Sequence, residues 1–198
     1  MPRNVPSKAS KSPAKPAAHR SPRTKTTEND VLGLLMADHK NVKKMFEQFE
    51  KMKKGDDDES KQKLVERACT ALTLHTRLEE EIFYPVARET LVDADLLDEA
   101  EVEHACAKQL ITELNAMQPG DELYEAKFTV LGEYVMHHIE EEEKEIFPKM
   151  KKSGLDLESM ADELRHRRME LREELGMMDE EAEQEEESSA AKSHRRVH

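Results

Sequence analysis

Apolar residues recur at steps of three and four along most of this chain, and the steps gather into four long stripes. The first runs Leu32, Leu35, Met36, His39, Val42, Phe46 and Phe49, after the cap-like Thr27-Glu28-Asn29-Asp30. Gly55 and the polar run Asp56 to Glu59 break it. A second stripe reads Leu64, Ala68, Ala71, Leu72, His75, Leu78, Glu79 and Ile82. The third is Leu97, Ala100, His104, Ala107, Ile111 and Leu114, stopped by Pro119-Gly120. The fourth is Phe128, Leu131, Val135, His138 and Glu142, ending near Pro148 and Gly154. Each set lies on one face of a helix. Residues 156 to 175 give a weaker fifth helix (Leu157, Met160, Leu164, Leu171, Leu175), closed by Gly176. Four long helices joined by short loops predict an all-α, antiparallel, up-down-up-down four-helix bundle with an additional C-terminal helix.

Composition narrows this picture without changing it. Aromatics are 4% and charged residues 38% of 198 residues, a balance for exposed helices and not for a β-sandwich. The formal charge of -13 argues against nucleic-acid binding by the folded part. No apolar run approaches the roughly 20 residues of a membrane span, so no membrane association is expected, and the expected location is cytoplasmic. Cys69 and Cys106 lack a CxxC and read as reduced structural thiols. Residues 1–27 hold seven Lys or Arg and no acid, and read as a disordered basic arm. Residues 177–198 read as a disordered charged tail, leaving 28–176 for the bundle.

Each stripe is interrupted by one histidine. His39 lies 16 residues before Gly55 and His75 lies 16 after Glu59, while His104 lies 15 before Pro119 and His138 lies 18 after Gly120. At about 1.5 Å per residue, the members of each pair differ by less than a turn. The second loop fits less well, with His75 15 residues before Thr90 and His104 10 after Ala94, and a bend of the second helix at Pro85 is expected to alter that count. The four imidazoles are therefore expected at one level of the bundle. Around two of them a segment repeats: His75 to Pro85 and His138 to Pro148 both read H-x3-E-x5-P. The spacing puts Glu79 and Glu142 one turn beyond their histidines on the same face. Burying two carboxylates costs several kcal/mol each unless a cation compensates them. Neutral imidazoles cannot do so, and a pair of metal ions can. Nitrogen and oxygen donors without thiolate suit iron, manganese or zinc. Four His and two bridging carboxylates give four donors per metal, leaving positions open for an outside ligand.

These residues resemble the hemerythrin HHE cation-binding family: Asp38-His39 on the first helix, His75/Glu79 on the second, Glu103-His104 on the third and His138/Glu142 on the fourth, with the ends Phe83 to Pro85 and Ile146-Phe147-Pro148. The resemblance covers residues of about 29 to 150. It implies a non-haem centre of two iron ions, with manganese or zinc as substitutes, held by His39, His75, Glu79, His104, His138 and Glu142. It also implies a small ligand (oxygen, nitric oxide or peroxide), in sensing or stress protection. The alternative is a module whose metal is itself the cargo, in iron homeostasis or iron-centre repair. No catalytic base can be named, so enzymatic activity is left open. Oxygen carriers of the family have a further histidine where this chain has Lys108. Reaction with oxygen or peroxide is therefore expected in place of reversible carriage, with Lys108 favouring a bound anion if it faces the site. His137 is rotated about 100° off the stripe and is not expected to ligate. Glu143 is the rival to Glu142. The remaining acids of Glu79 to Glu81 and Glu140 to Glu143 are expected on solvated faces, and nothing in the spacing brings Tyr84 or Tyr134 to the metals.

Overall fold

In the computed structural model, residues 29–91 and 94–177 are described, and among them every regular element is helical. The expectations for the basic arm and the charged tail fall almost wholly outside these residues. The chain forms α1 (Val31–Met52), α2 (Asp58–Leu78), α3 (Tyr84–Thr90), α4 (Ala94–Asn115), α5 (Tyr124–Glu141), α6 (Phe147–Lys152) and α7 (Leu157–Glu174). Three of these start on an aspartate cap that accepts a backbone N–H: Asp30 from Gly33, Asp57 from Ser60 and Asp156 from Ser159.

α2 runs into α3, and α5 into α6, through single π turns at Glu79–Phe83 and Glu142–Ile146. In each, the N–H five residues on donates back to the first carbonyl, Tyr84 to Glu79 and Phe147 to Glu142. The sequence reason is the proline that follows. Pro85 and Pro148 have no N–H to give to the preceding turn, and one wider turn absorbs the missing bond. The second helix is thus widened by a π turn ahead of Pro85, where a proline bend was expected.

The bundle is built from α1, α2–α3, α4 and α5–α6. α1 packs on α2 and α5, and α4 packs on the same two, so α2 and α5 lie on a diagonal and run in one direction. α1 and α5 approach closely at Gly132, where an added Cβ would come within 2.9 Å of the Phe46 ring. Most of the apolar stripes are buried as expected. Met36 and Leu175 are exceptions at 41% and 36% exposed, and Met45, outside the expected stripe, is buried.

The core falls into two apolar clusters. One contains Leu35, Leu78, Phe83, Leu97 and Phe147, and α7 covers it with Met160, Ala161, Leu164 and Leu171. The other contains Val42, Phe49, Leu72, Ile111 and Phe128. Between them, in sequence and in space, lies a polar layer.

Candidate metal centre

Three of the imidazoles occupy core positions whose apolar neighbours, one turn to either side, belong to the two different clusters: Leu35 and Val42 flank His39, Leu72 and Leu78 flank His75, Ala100 and Ala107 flank His104, while His138 follows Val135 of the second cluster and precedes Glu142. The layer is almost sealed: His39, His75, His104, His138, Glu79 and Glu142 are between 0% and 6% exposed. Their inward atoms converge. Nε2 of His39 lies 3.2 Å from Nε2 of His75, and Nε2 of His104 lies 3.1 Å from Nε2 of His138. Glu79 reaches both pairs, one oxygen 3.2 Å from His75 and the other 3.3 Å from His104. Oε2 of Glu142 lies 3.2 Å from His39 and 3.5 Å from His138. The structure thus brings together all six residues singled out in the sequence.

The carboxylate approaches are ion-pair contacts between carboxylate and imidazole. Both oxygens of Glu79 and Oε2 of Glu142 have no hydrogen-bond partner among the described residues, although they are buried. Unpaired buried carboxylate oxygens are costly. A shared cation removes that cost, and the donor spacing fits one: ligand bonds of about 2.1 Å separate adjacent donors by roughly 3.0 to 3.4 Å. The donors divide into one group of His39, His75, Glu79 and Glu142 and a second of Glu79, His104 and His138.

The outward edge of every imidazole is tied to a carboxylate. Nδ1–H of His39 donates to Glu143 over 3.0 Å, that of His75 to Asp38 over 3.4 Å, that of His104 to Glu80 over 3.0 Å and that of His138 to Glu103 over 2.9 Å. With the proton held outside, the Nε2 lone pair points inward, the tautomer a metal requires. Each carboxylate is braced in turn by a cationic or imidazole group. Lys43 holds Glu143, Arg168 holds Asp38, Lys108 holds Glu80 and His137 holds Glu103.

This settles the surroundings of four side chains. Glu80 and Glu143 are half-buried and engaged with His104 and His39, not free on a solvated face. Glu143 therefore steers His39 from outside, while Glu142 points into the layer. Lys108 does not face the centre; it is 44% exposed and bound to Glu80. His137 is 63% exposed and stays outside, as its rotation predicts.

Tyr84 is the functional residue that helical periodicity missed. Its hydroxyl donates to Oε1 of Glu142 over 3.0 Å and lies 3.4 Å from Nε2 of both His104 and His138. In a regular α-helix a residue five after Glu79 lies about 140° away from it. The π turn returns it to the same face. Phe147 stands five after Glu142 in the other π turn, and stacks on His39 with centroids 5.7 Å apart, as Tyr84 stacks on His104 at 5.4 Å. The repeated H-x3-E-x5-P was the available signal.

The charges of the layer are strongly coupled. Burial alone would depress His75, but the charge of Glu79 and the bond to Asp38 outweigh it and raise its pKa to about 10. His39 and His138 are raised for the same reason, by Glu142 with Glu143 and by Glu142 with Glu103. Burial would raise Glu79, yet His75 and His104 hold it well below the usual carboxylate range. Burial, then Glu142 and Glu79, push the Tyr84 phenol well up, so it keeps its proton.

Beside the imidazoles a cavity of about 20 Å³ is lined by Val42, Leu72, Ala107, Val135 and Ile139 among others. It has room for one water-sized or diatomic molecule. Of its lining residues only Tyr134 and Glu103 reach solvent, so the approach lies between α4 and α5. Among the described residues no helix is long and apolar enough to cross a membrane.

A helical bundle with a buried layer of four imidazoles and two carboxylates, all donors inward, is a metal-binding bundle of the histidine–carboxylate class. The chain belongs to the hemerythrin HHE cation binding domain family, whose model matches residues 30–150. Its shape is similar to the crystal structure of a hemerythrin HHE cation binding domain-containing protein from Mycobacterium kansasii, with a TM-score of 0.60 over 73% of this chain and 88% of that one. The two share 19% of their residues, so the likeness is one of fold. A search among curated proteins found no match.

Proposed function

We infer that this chain is a non-haem di-iron protein that binds or reacts with oxygen, nitric oxide or peroxide, in sensing or stress protection. His39, His75, Glu79 and Glu142 would hold one ion and His104, His138 and Glu79 the other, with Glu79 shared. The observation that carries this reading is the set of three buried carboxylate oxygens without a hydrogen-bond partner, surrounded by four Nε2 atoms. Iron, when bound, supplies reversible one-electron chemistry and open coordination positions. The protein's own residues do the rest. Four carboxylates keep Nε2 of each ring free, Tyr84 keeps a proton at Oε1 of Glu142, and the small apolar cavity admits a small molecule while excluding bulk water.

Donors this deeply buried favour a resident centre over exchangeable cargo, because release would require the bundle to open. Elemental analysis after anaerobic loading with ferrous iron should find two ions per chain, and finding none would end the proposal. Zinc in a first preparation decides nothing, since its intrinsic affinity for such donors exceeds that of ferrous iron. Optical spectra before and after oxygen or peroxide test the ligand class. The ferrous protein should react and should not recover under vacuum. Intact release of oxygen would return the protein to the carriers.

A further inference from the structure

We propose that α7 is a strap whose docking is coupled to occupancy of the metal centre, and that Arg168 is the positioning residue that couples them. The inference rests on the reading of His75 and Glu79 as metal ligands. The guanidinium of Arg168 forks onto Asp38, its two nitrogens 2.7 and 2.6 Å from the two carboxylate oxygens. Both side chains are about four-fifths buried, at 19% and 21% exposed. A bidentate pair fixes the plane of the carboxylate as well as its position. Oδ2 of that carboxylate accepts Nδ1–H of His75, so α7 sets the orientation of one ligand ring through a single intermediary.

The grip extends along the same segment. Arg167 donates to Glu81 over 2.6 Å, and Arg77 donates to Glu174 over 2.8 Å. Arg77 stands between His75 and Glu79, and Glu81 belongs to the π turn that Glu79 begins. Three attachments therefore bracket both ligands of the second helix. The other imidazoles have no such tie: Glu143, Glu80 and Glu103 are braced by Lys43, Lys108 and His137, all from the four-helix bundle itself. α7 acts on the His75–Glu79 end alone, and it lies beyond the residues that the family model matches.

Coupling of this kind is reciprocal. A metal that immobilises His75 and Glu79 stiffens the surface on which α7 docks. α7, by fixing Asp38, orients His75 before metal arrives and lowers the cost of binding it. The coupling also gives the centre an output. Loosening α7 uncovers the apolar surface formed by Val31, Leu35, Leu78 and Phe83, which Met160, Ala161, Leu164 and Leu171 otherwise cover.

The test uses the full chain with zinc or ferrous iron, reading metal affinity by chelator competition and α7 amide protection by hydrogen exchange. Loading the wild-type chain should slow exchange in α7. Arg168→Gln should weaken one of the two ions by about tenfold, the lower range for partners that orient ligands, and should abolish the metal dependence of α7 exchange. Arg167→Gln, which leaves the Asp38 fork in place, should speed α7 exchange with or without metal and lower metal affinity less than Arg168→Gln does. Arg168→Lys, with charge but no fork, should fall between wild type and Arg168→Gln, and it carries the test if Arg168→Gln does not fold. A chain that loads two ions but shows the same α7 exchange with and without them overturns the coupling alone, as does wild-type affinity in the Arg168 variants. A wild-type chain that takes up no metal overturns the metal centre with it.

Discussion

The phenol of Tyr84 donates to Oε1 of Glu142 over 3.0 Å, while Oε2 of the same carboxylate, without a hydrogen-bond partner, faces His39 and His138. One oxygen is anchored and the other is left for a cation. Among the described residues of the metal-free chain, that phenol is the one neutral donor on a fully buried carboxylate.

Tyr84→Phe should therefore cost the metal-free protein about 2 kcal/mol, since a buried charged acceptor loses its donor. In a domain of this size that lowers the melting temperature by roughly 4 to 8 °C. The loaded protein, whose carboxylate a cation also satisfies, should lose less than half as much. Calorimetry of both forms checks this; equal losses would mean that Glu142 gains nothing from the metal.

The pH dependence of the metal-free chain follows from His75 and Glu79. His75 has its folded pKa raised from 6.5 to about 10, so its contribution is complete below 6.5 and is lost as pH climbs through 10. Glu79 is shifted well below its ordinary 4.5, so its contribution is complete above that value and is lost as pH falls through the lowered one. Metal-free protein should thus melt highest between about 4.5 and 6.5 and lose stability above. Metal binding needs the unprotonated ring and strengthens as protons leave. The gap in melting temperature between loaded and metal-free protein should widen from pH 6.5 to 9; a narrowing gap would contradict a histidine-based core site.

His75→Ala and His138→Ala should each lose metal on elemental analysis. His137→Ala should keep both ions, because that ring is 63% exposed and its ion-pair partners among the described residues are Glu103 and Glu141. Metal loss in His137→Ala with retention in His138→Ala would mean that the fourth helix is turned by one residue.

Lys108→Ala tests the outward role of that side chain. The ammonium holds Glu80, which holds His104, and it is 44% exposed. The melting temperature should move by no more than about 2 °C, as for most surface pairs. Metal affinity should fall a few-fold, and affinity for azide or another small anion should be unchanged. A marked loss of anion binding would put the ammonium back at the centre.

The fold and the six inward residues were legible because stripes, loops and repeat all follow the helical period. His39 and His75 could be matched by counting residues from a loop, and Glu142 could be preferred to Glu143 because it alone follows His138 by one turn. Periodicity failed where the chain leaves it. Tyr84 reaches Glu142 only because the π turn re-registers the helix, and the α-helical count places it far from the site. The partners of Glu80, Glu143 and Lys108 were not legible for another reason. A helix position says how far a side chain points from the seam, not which long side chain on a neighbouring helix it will meet. Arg168 was invisible for the same reason, 130 residues from the aspartate it grips.

The two π turns give the chain two corresponding positions, Tyr84 and Phe147, that differ by one oxygen atom. At the fifth position after the glutamate, one turn presents the Tyr84 hydroxyl and the other the bare ring of Phe147. The protein therefore carries its own reference half. Exchanging the two residues, Tyr84→Phe with Phe147→Tyr, would carry the hydroxyl to the opposite end of the layer while preserving total composition. Whatever distinguishes the two ends chemically should change sides with it.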